Sequence, residues 1–245
     1  MKRYNSYQDT NSYWYNEIPI TWKRTRIKYI FNEDKQIVGN EWNNFTLLTM
    51  GKSGVKPRDL DAGGKFPESF ENYQKVNVDQ LIFCLFDIDE TPRTVGLSSD
   101  IGMITSAYDV FSTSIGNHAQ YWNYFFQMID DHKGLKPYYT GLRKVVRIDT
   151  FKNIEVYSPP ILEQKLIYQY LDKKTKKIDS LIEKIENKIE LLKEQKTALI
   201  NQYVTKGLEP NVEMKDSGNE LIREIPKHWD LTRLKYISSN SVQYG

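Results

Sequence analysis

Residues 17–30 read EIPITWKRTRIKYI, and residues 224–237 read EIPKHWDLTRLKYI. Nine of the fourteen positions are identical: Glu17/Glu224, Ile18/Ile225, Pro19/Pro226, Trp22/Trp229, Thr25/Thr232, Arg26/Arg233, Lys28/Lys235, Tyr29/Tyr236 and Ile30/Ile237. The register extends back to Asp9/Asp216. An offset of 207 residues is far longer than any solenoid repeat, so the duplication is on the scale of a whole domain. The second copy runs only to Gly245. The expectation is therefore one complete unit, followed by the opening of another.

Between the copies the chain changes character. Residues 17 to about 158 are punctuated by Gly and Pro and hold strand-like runs at Gln80–Phe86, Gly102–Thr105, Arg143–Ile148 and Asn153–Tyr157. Ala119–Ile129 has helical periodicity. Ser158-Pro159-Pro160 reads as a helix start, with Ser as cap and Pro in the first turn, and Gly207 as the stop. Within it, Leu171, Thr175, Ile178, Ile182, Ile185, Ile189, Leu192, Lys196, Leu199 and Tyr203 follow alternating steps of four and three. Eight of the ten are apolar, the spacing of a coiled-coil seam flanked by Lys and Glu. At about 1.5 Å per residue such a helix spans on the order of 65 Å, and one helix cannot bury that seam alone. Packing on its own domain is the plainer alternative. The fold class expected is α+β: a globular mixed α/β domain (1–158), a long coiled-coil-forming helix (159–207), then a linker and partial second domain (208–245).

Chemistry is hard to find. Gly51-Lys52-Ser53-Gly54 resembles a phosphate loop, but Thr46 stands where that loop needs glycine, leaving a flexible basic loop as the better reading. Ser158-Pro159-Pro160-Ile161 lacks the polar residue an amino-methyltransferase needs to hold its target amine. Asp87-Ile88-Asp89-Glu90 reads as an acidic surface turn, and His118, His132 and His228 show no ligand spacing. The single cysteine, Cys84, lies in an apolar run and reads as a buried small hydrophobe. No metal, cofactor or nucleophile–base constellation is expected. No apolar run reaches 18 residues and no secretion signal opens the chain, so a cytoplasmic protein without membrane contact is expected.

A net charge of +2 is too mild to mark a nucleic-acid binder, so any such reading rests on local patches. Residues 133–144 carry Lys133, Lys136, Arg143 and Lys144 with Tyr138, Tyr139 and Thr140, and no acid. Cations neutralise phosphates, while Arg, Tyr and Thr can reach base edges from a loop. Lys52, Ser53, Lys56 and Arg58 form a second basic loop. A solvated turn is the plain alternative for the first loop, and Tyr138 and Tyr139 are equally readable as core. Arg24, Arg26 and Lys28, on a strand or short helix after Trp22, are as plausibly structural.

These pieces together resemble the specificity subunits of type I restriction–modification enzymes, shortened to one target recognition domain. The residues that carry the resemblance are Glu17-Ile18-Pro19-x-x-Trp22 and its copy at 224–229, Gly141–Lys144, Phe151–Ile154, Pro159–Gln164, the helix from Tyr170 onward and Met214–Gly218. The resemblance implies a non-catalytic subunit that reads half of a split site in double-stranded DNA. It implies partner methyltransferase and restriction subunits, which would hold S-adenosylmethionine, ATP and Mg. It also implies antiparallel pairing of the long helix, either between two copies or with a second half-subunit. A DNA-binding remnant of a type II methyltransferase or nuclease, and a coiled-coil adaptor without DNA contact, remain as other readings.

Overall fold

The computed structural model describes residues 4–59, 67, 69–233, 236 and 237. It divides into two compact units, Met1–Lys173 and Lys174–Gly245.

The first unit is organised by a four-stranded antiparallel sheet in the order Phe31–Glu33, Asp109–Thr113, Leu81–Phe83, Val95–Leu97. Successive side chains on a strand point to opposite faces, and here both faces are covered. Leu81, Phe83 and Phe111 enter a large core with Phe31, Trp122, Phe126 and Phe151. Ile82 and Val110 enter a smaller one with Leu48, Val55, Val76 and Ile104. That is why 81–86 reads as an unbroken apolar run. Helix α1 (Ala119–Asp131) lays Tyr121, Trp122, Phe125, Phe126 and Ile129 inward, the spacing of one helix face. The Phe83 ring lies 5.0 Å from Phe126 and 4.9 Å from Phe151. Cys84 is buried as expected, and burial pushes its thiol pKa up.

The start of this unit is tied to its end. Strand Lys23–Arg26 pairs antiparallel with Glu155–Ser158, placing Arg26 opposite Glu155 and Lys23 opposite Ser158. Arg24 and Arg26 both pair with Glu155, which favours the structural reading of those arginines.

Two expectations need correction here. Arg143–Ile148 is not a strand: a tight turn closes at Val145, and helix α2 (Ile148–Asn153) begins where the strand was expected to end. Ser158 is not a helix cap. It ends a strand, because a residue before proline is held extended. Helix α3 (Ile161–Lys206) starts after both prolines, with the Pro160 carbonyl accepting from Glu163 and Gln164 N–H. Gly207 ends it at φ 75°, donating its N–H to Tyr203 O at 3.1 Å.

The second unit holds the far part of α3 and the second copy of the repeat. Met214–Asp216 pairs with Glu224–Pro226. Tyr7–Asp9 pairs with Glu17–Pro19 in the same register, residue for residue at the offset of 207. Trp22 N–H donates to Pro19 O at 3.0 Å, and Trp229 N–H to Pro226 O at 2.8 Å. The repeat in sequence is a repeat in structure.

Candidate nucleic-acid interface

The basic segment 133–144 folds as a short 3-10 turn (Lys136–Tyr138) followed by a tight hairpin-like turn. Thr140 and Val145 exchange both backbone N–H···O bonds, at 2.9 and 3.1 Å, and Lys144 N–H reaches Gly141 O at 3.2 Å. Gly141 sits at φ 71°, a conformation open to glycine, and Lys144 at φ 48°. The Thr140 hydroxyl donates to Val145 O at 3.0 Å, so it serves the turn itself.

The acidic turn after the apolar strand clasps this loop. Asp87 N–H donates to Arg143 O at 3.0 Å and Val146 N–H to Leu85 O at 2.9 Å, stitching the two segments together. The Arg143 guanidinium forks onto Asp87, with Nη2–Oδ2 at 2.7 Å and Nε–Oδ1 at 3.4 Å, and lies 5.9 Å from the Phe86 ring centre. Lys144 Nζ is 2.7 Å from Asp89 Oδ2. Lys144, aided by the Tyr139 hydroxyl, holds the Asp89 carboxyl below its ordinary pKa against a smaller opposing effect of burial. Asp87 and Asp89 in turn raise the pKa values of Arg143 and Lys144. The turn read as merely acidic surface is the support of the candidate DNA loop.

The expected contact residues therefore separate. Lys136, Arg143 and Lys144 are exposed. Lys133 is committed elsewhere: its Nζ is 3.0 Å from Thr91 O and 3.2 Å from Asp130 Oδ1. Asp130 is buried, and a buried carboxylate must be paired, so Lys133, Arg93 and the Thr94 N–H and hydroxyl all serve it. Tyr138 and Tyr139 are half-buried against the main core. Tyr138 meets Trp14 and Tyr13 edge-on or tilted, and Tyr139 donates to Asp89 Oδ1 at 3.1 Å. Burial first, then the bond to Asp89, raises the Tyr139 pKa.

The second basic loop is not a loose one. Strands Leu48–Gly51 and Gly54–Pro57 pair as a hairpin whose two-residue tip is Lys52-Ser53, with Gly54 at φ 91°. Lys52, Ser53 and Lys56 are exposed. Arg58 is half-buried, its N–H bonded to Leu47 O at 2.8 Å.

The first turns of helix α3 are anchored to the domain before it, where the Tyr124 hydroxyl also donates to Asp172 Oδ1 at 3.0 Å. Gln164, buried, binds Asn117 Oδ1, Ser158 Oγ and Pro159 O through its amide nitrogen, and accepts from His118 N–H at 3.1 Å. Glu163 accepts from Trp22 Nε1 at 2.9 Å and from the Tyr4 hydroxyl. The motif at 159–164 is thus a joint between domain and helix, a role sequence reasoning did not assign. Leu171 borders an apolar groove of about 290 Å³ with Ile18, Trp22, Tyr121 and Phe125. Beyond it Ile178, Ile182, Ile185, Ile189, Leu192, Leu199 and Tyr203 are 43–58% exposed. Among the described residues, no group of metal-binding side chains occurs and no helix is long and apolar enough to cross a membrane.

Part of this geometry is shared with known proteins. Residues 105–191, from the Asp109–Thr113 strand through the basic turn into α3, match the family described as type I restriction modification DNA specificity domain. The type I restriction enzyme MjaVIII specificity subunit of Methanocaldococcus jannaschii is 34% identical over 87 residues, 36% of this chain and 19% of that protein. A solved chain titled for complex assembly and conformational transition of the type I R-M system superposes with TM-score 0.56 at 12% identity, over 76% of this chain and 46% of its own. The HsdS subunit from Thermoanaerobacter tengcongensis gives 0.45 at 13% identity, over 67% and 40%. The family match over residues 105–191 and the curated relative bear out the resemblance to type I specificity subunits, and the α+β domain with its long helix is the observed fold. The chain spans about a fifth of the curated relative and just under half of the first solved chain.

Proposed function

We propose that this protein is the DNA-recognition subunit of a type I restriction–modification complex. It reads one part of a split target and directs partner methyltransferase and restriction subunits to it. The observation that carries the reading is the specificity-domain match over 105–191, which includes the clasped turn Thr140–Val145 and the joint to α3. The chain performs no chemistry itself. S-adenosylmethionine, ATP and Mg belong to the partner subunits, and the complex works on double-stranded DNA in the cytoplasm. Residues 1–158 read the DNA, 159–207 set the spacing, and 208–245 begin a second recognition unit.

The exposed seam on α3 supports antiparallel pairing with an equivalent helix. The seam positions mirror about residue 187: Leu171 would fall opposite Tyr203, Ile182 opposite Leu192 and Ile185 opposite Ile189, with Thr175 opposite Leu199 and Ile178 opposite Lys196 as the two mixed pairs. A second copy of this chain related by a twofold axis satisfies that pattern. With 46 helical residues at about 1.5 Å each, the recognition domains would be held roughly a DNA turn or more apart on a gapped palindrome. Pairing with a different half-subunit would give an asymmetric site instead.

The test is methyl-group mapping on a random plasmid library with the methyltransferase subunit, with and without this chain. Methylation confined to one recurring sequence, and only when the chain is present, is expected. Methylation indifferent to the chain, or methyl transfer by the chain alone, defeats the reading.

A further inference from the structure

We propose that Leu142 is a base-contacting residue, an apolar point that the clasped turn drives against a base in the target. The inference rests on the DNA-recognition reading above and names a specificity residue within it. Leu142 occupies the apex of the turn and is 102% exposed. A single exposed leucine needs no explanation by itself. What sets this one apart is its mounting.

The apex is held from both sides. Beneath it the Thr140–Val145 backbone pair and the Lys144–Gly141 bond close the turn. Two contacts more than fifty residues away in sequence, Arg143–Asp87 and Lys144–Asp89, fasten its flank. Gly141 and Lys144 take positive φ to bring the chain round. A protein that needed only a solvated connection from the 3-10 turn to α2 would not require this bracing. A turn that must push a side chain into a stacked duplex does, because a loose tip would lose ordering entropy on contact.

The charges around the apex fit the same use. Arg143, Lys144 and Lys136 are exposed, so the tip is surrounded by cations that draw it to the phosphate backbone. Asp87 and Asp89 offset two of those charges, which lowers indiscriminate attraction and leaves contact shape to decide. An apolar side chain has two uses at a base: contact with a thymine methyl in the major groove, or partial insertion between stacked bases. Both are apolar contacts with a base, and neither is served by a lysine or serine at the same point.

The experiment compares the full chain with Leu142→Ala and Leu142→Met on the duplex selected by the wild-type protein with its methyltransferase subunit. Leu142→Ala should bind that duplex more weakly by on the order of tenfold. Its affinity for random duplex and its salt dependence should be unchanged, since no charge is lost. Leu142→Met should recover most of the loss. Replacing thymine by uracil in the duplex reproduces the alanine effect if the contact is to a methyl group. 2-Aminopurine in the target brightens with wild type, and not with Leu142→Ala, if a base step is opened. Leu142→Ala matching wild type in affinity and in selected sequence overturns the inference while leaving the DNA reading intact. A wild-type chain that selects no sequence overturns that reading, and the inference with it.

Discussion

The indole Nε1 of Trp22 donates to Glu163 Oε1 at 2.9 Å, joining the first copy of the repeat to the opening turn of the long helix across 141 residues of sequence. Tyr4 shares the same carboxylate, and Gln164 beside it is buried among Asn117, Ser158 and Pro159. The two ends of the recognition domain therefore meet where the helix departs. Glu163→Ala should lower the unfolding free energy by about 1–2 kcal/mol, the usual cost of stripping a part-buried donor of its partner. Glu163→Gln should recover most of it. Denaturant unfolding followed by tryptophan fluorescence measures both, and equal midpoints for the alanine variant and wild type would contradict the joint.

Arg143 and Lys144 are exposed, and each carries N–H donors beyond those on Asp87 and Asp89 that can reach a phosphate. The double variant Arg143→Ala/Lys144→Ala should bind DNA more weakly, with a salt slope reduced by roughly 1 per cation. Lys133→Ala should instead destabilise the fold, because it leaves Asp130 short of a partner. Anisotropy titrations at several salt concentrations, beside a thermal melt, separate the two outcomes. An unchanged slope for the double variant would place the turn away from the DNA.

The Asp89 carboxyl sits below its ordinary pKa, chiefly because of Lys144. A depressed carboxylate adds stability that is complete above its unfolded value, about 3.9, and is lost as pH falls through the lower folded value. Asp89→Asn should thus melt below wild type at pH 6, and the gap should close below about pH 4. A gap of equal size at pH 3 would show that the clasp on the turn does not depend on that charge.

How much of this was legible in the sequence depends on how local each cause is. The repeat predicted a second opening that resembles the first, without its hairpin form, and the three–four spacing predicted α3, because that signal lies within neighbouring residues. The run Arg143–Ile148 looked like a strand, since Val145, Val146 and Ile148 are β-branched. What bends it is a pair of carboxylates at 87 and 89, and nothing near 143 announces them. Ser158 carried a cap signal, but its pairing with Lys23 kept it extended. Tyr138 and Tyr139 were readable as loop or as core because Trp14 and Asp89, which hold them, are remote in sequence. Lys133 read as a loop cation although Asp130 stands three residues before it, because nothing local announces that Asp130 is buried. Glu163 and Gln164 were visible only as part of a motif, and their work as a joint required the fold.

Replacing Ile182, Ile185 and Ile189 by Asp places three charges in the exposed seam of α3. The variant should remain monomeric in sedimentation at concentrations where wild type associates, with an unchanged near-ultraviolet signal from the recognition domain, whose core is separate from the seam. A wild-type chain that stays monomeric at high concentration, with methyltransferase subunit and DNA present, would remove the self-pairing arrangement.

Selection from a random duplex library with the methyltransferase subunit added decides whether this chain chooses a DNA sequence for catalytic partners. Enrichment of a split site whose two halves repeat in inverted orientation at fixed spacing is expected, with loss of that enrichment when the chain is left out. Recovery of duplexes with no common sequence, or of the same sequence without the chain, would contradict it.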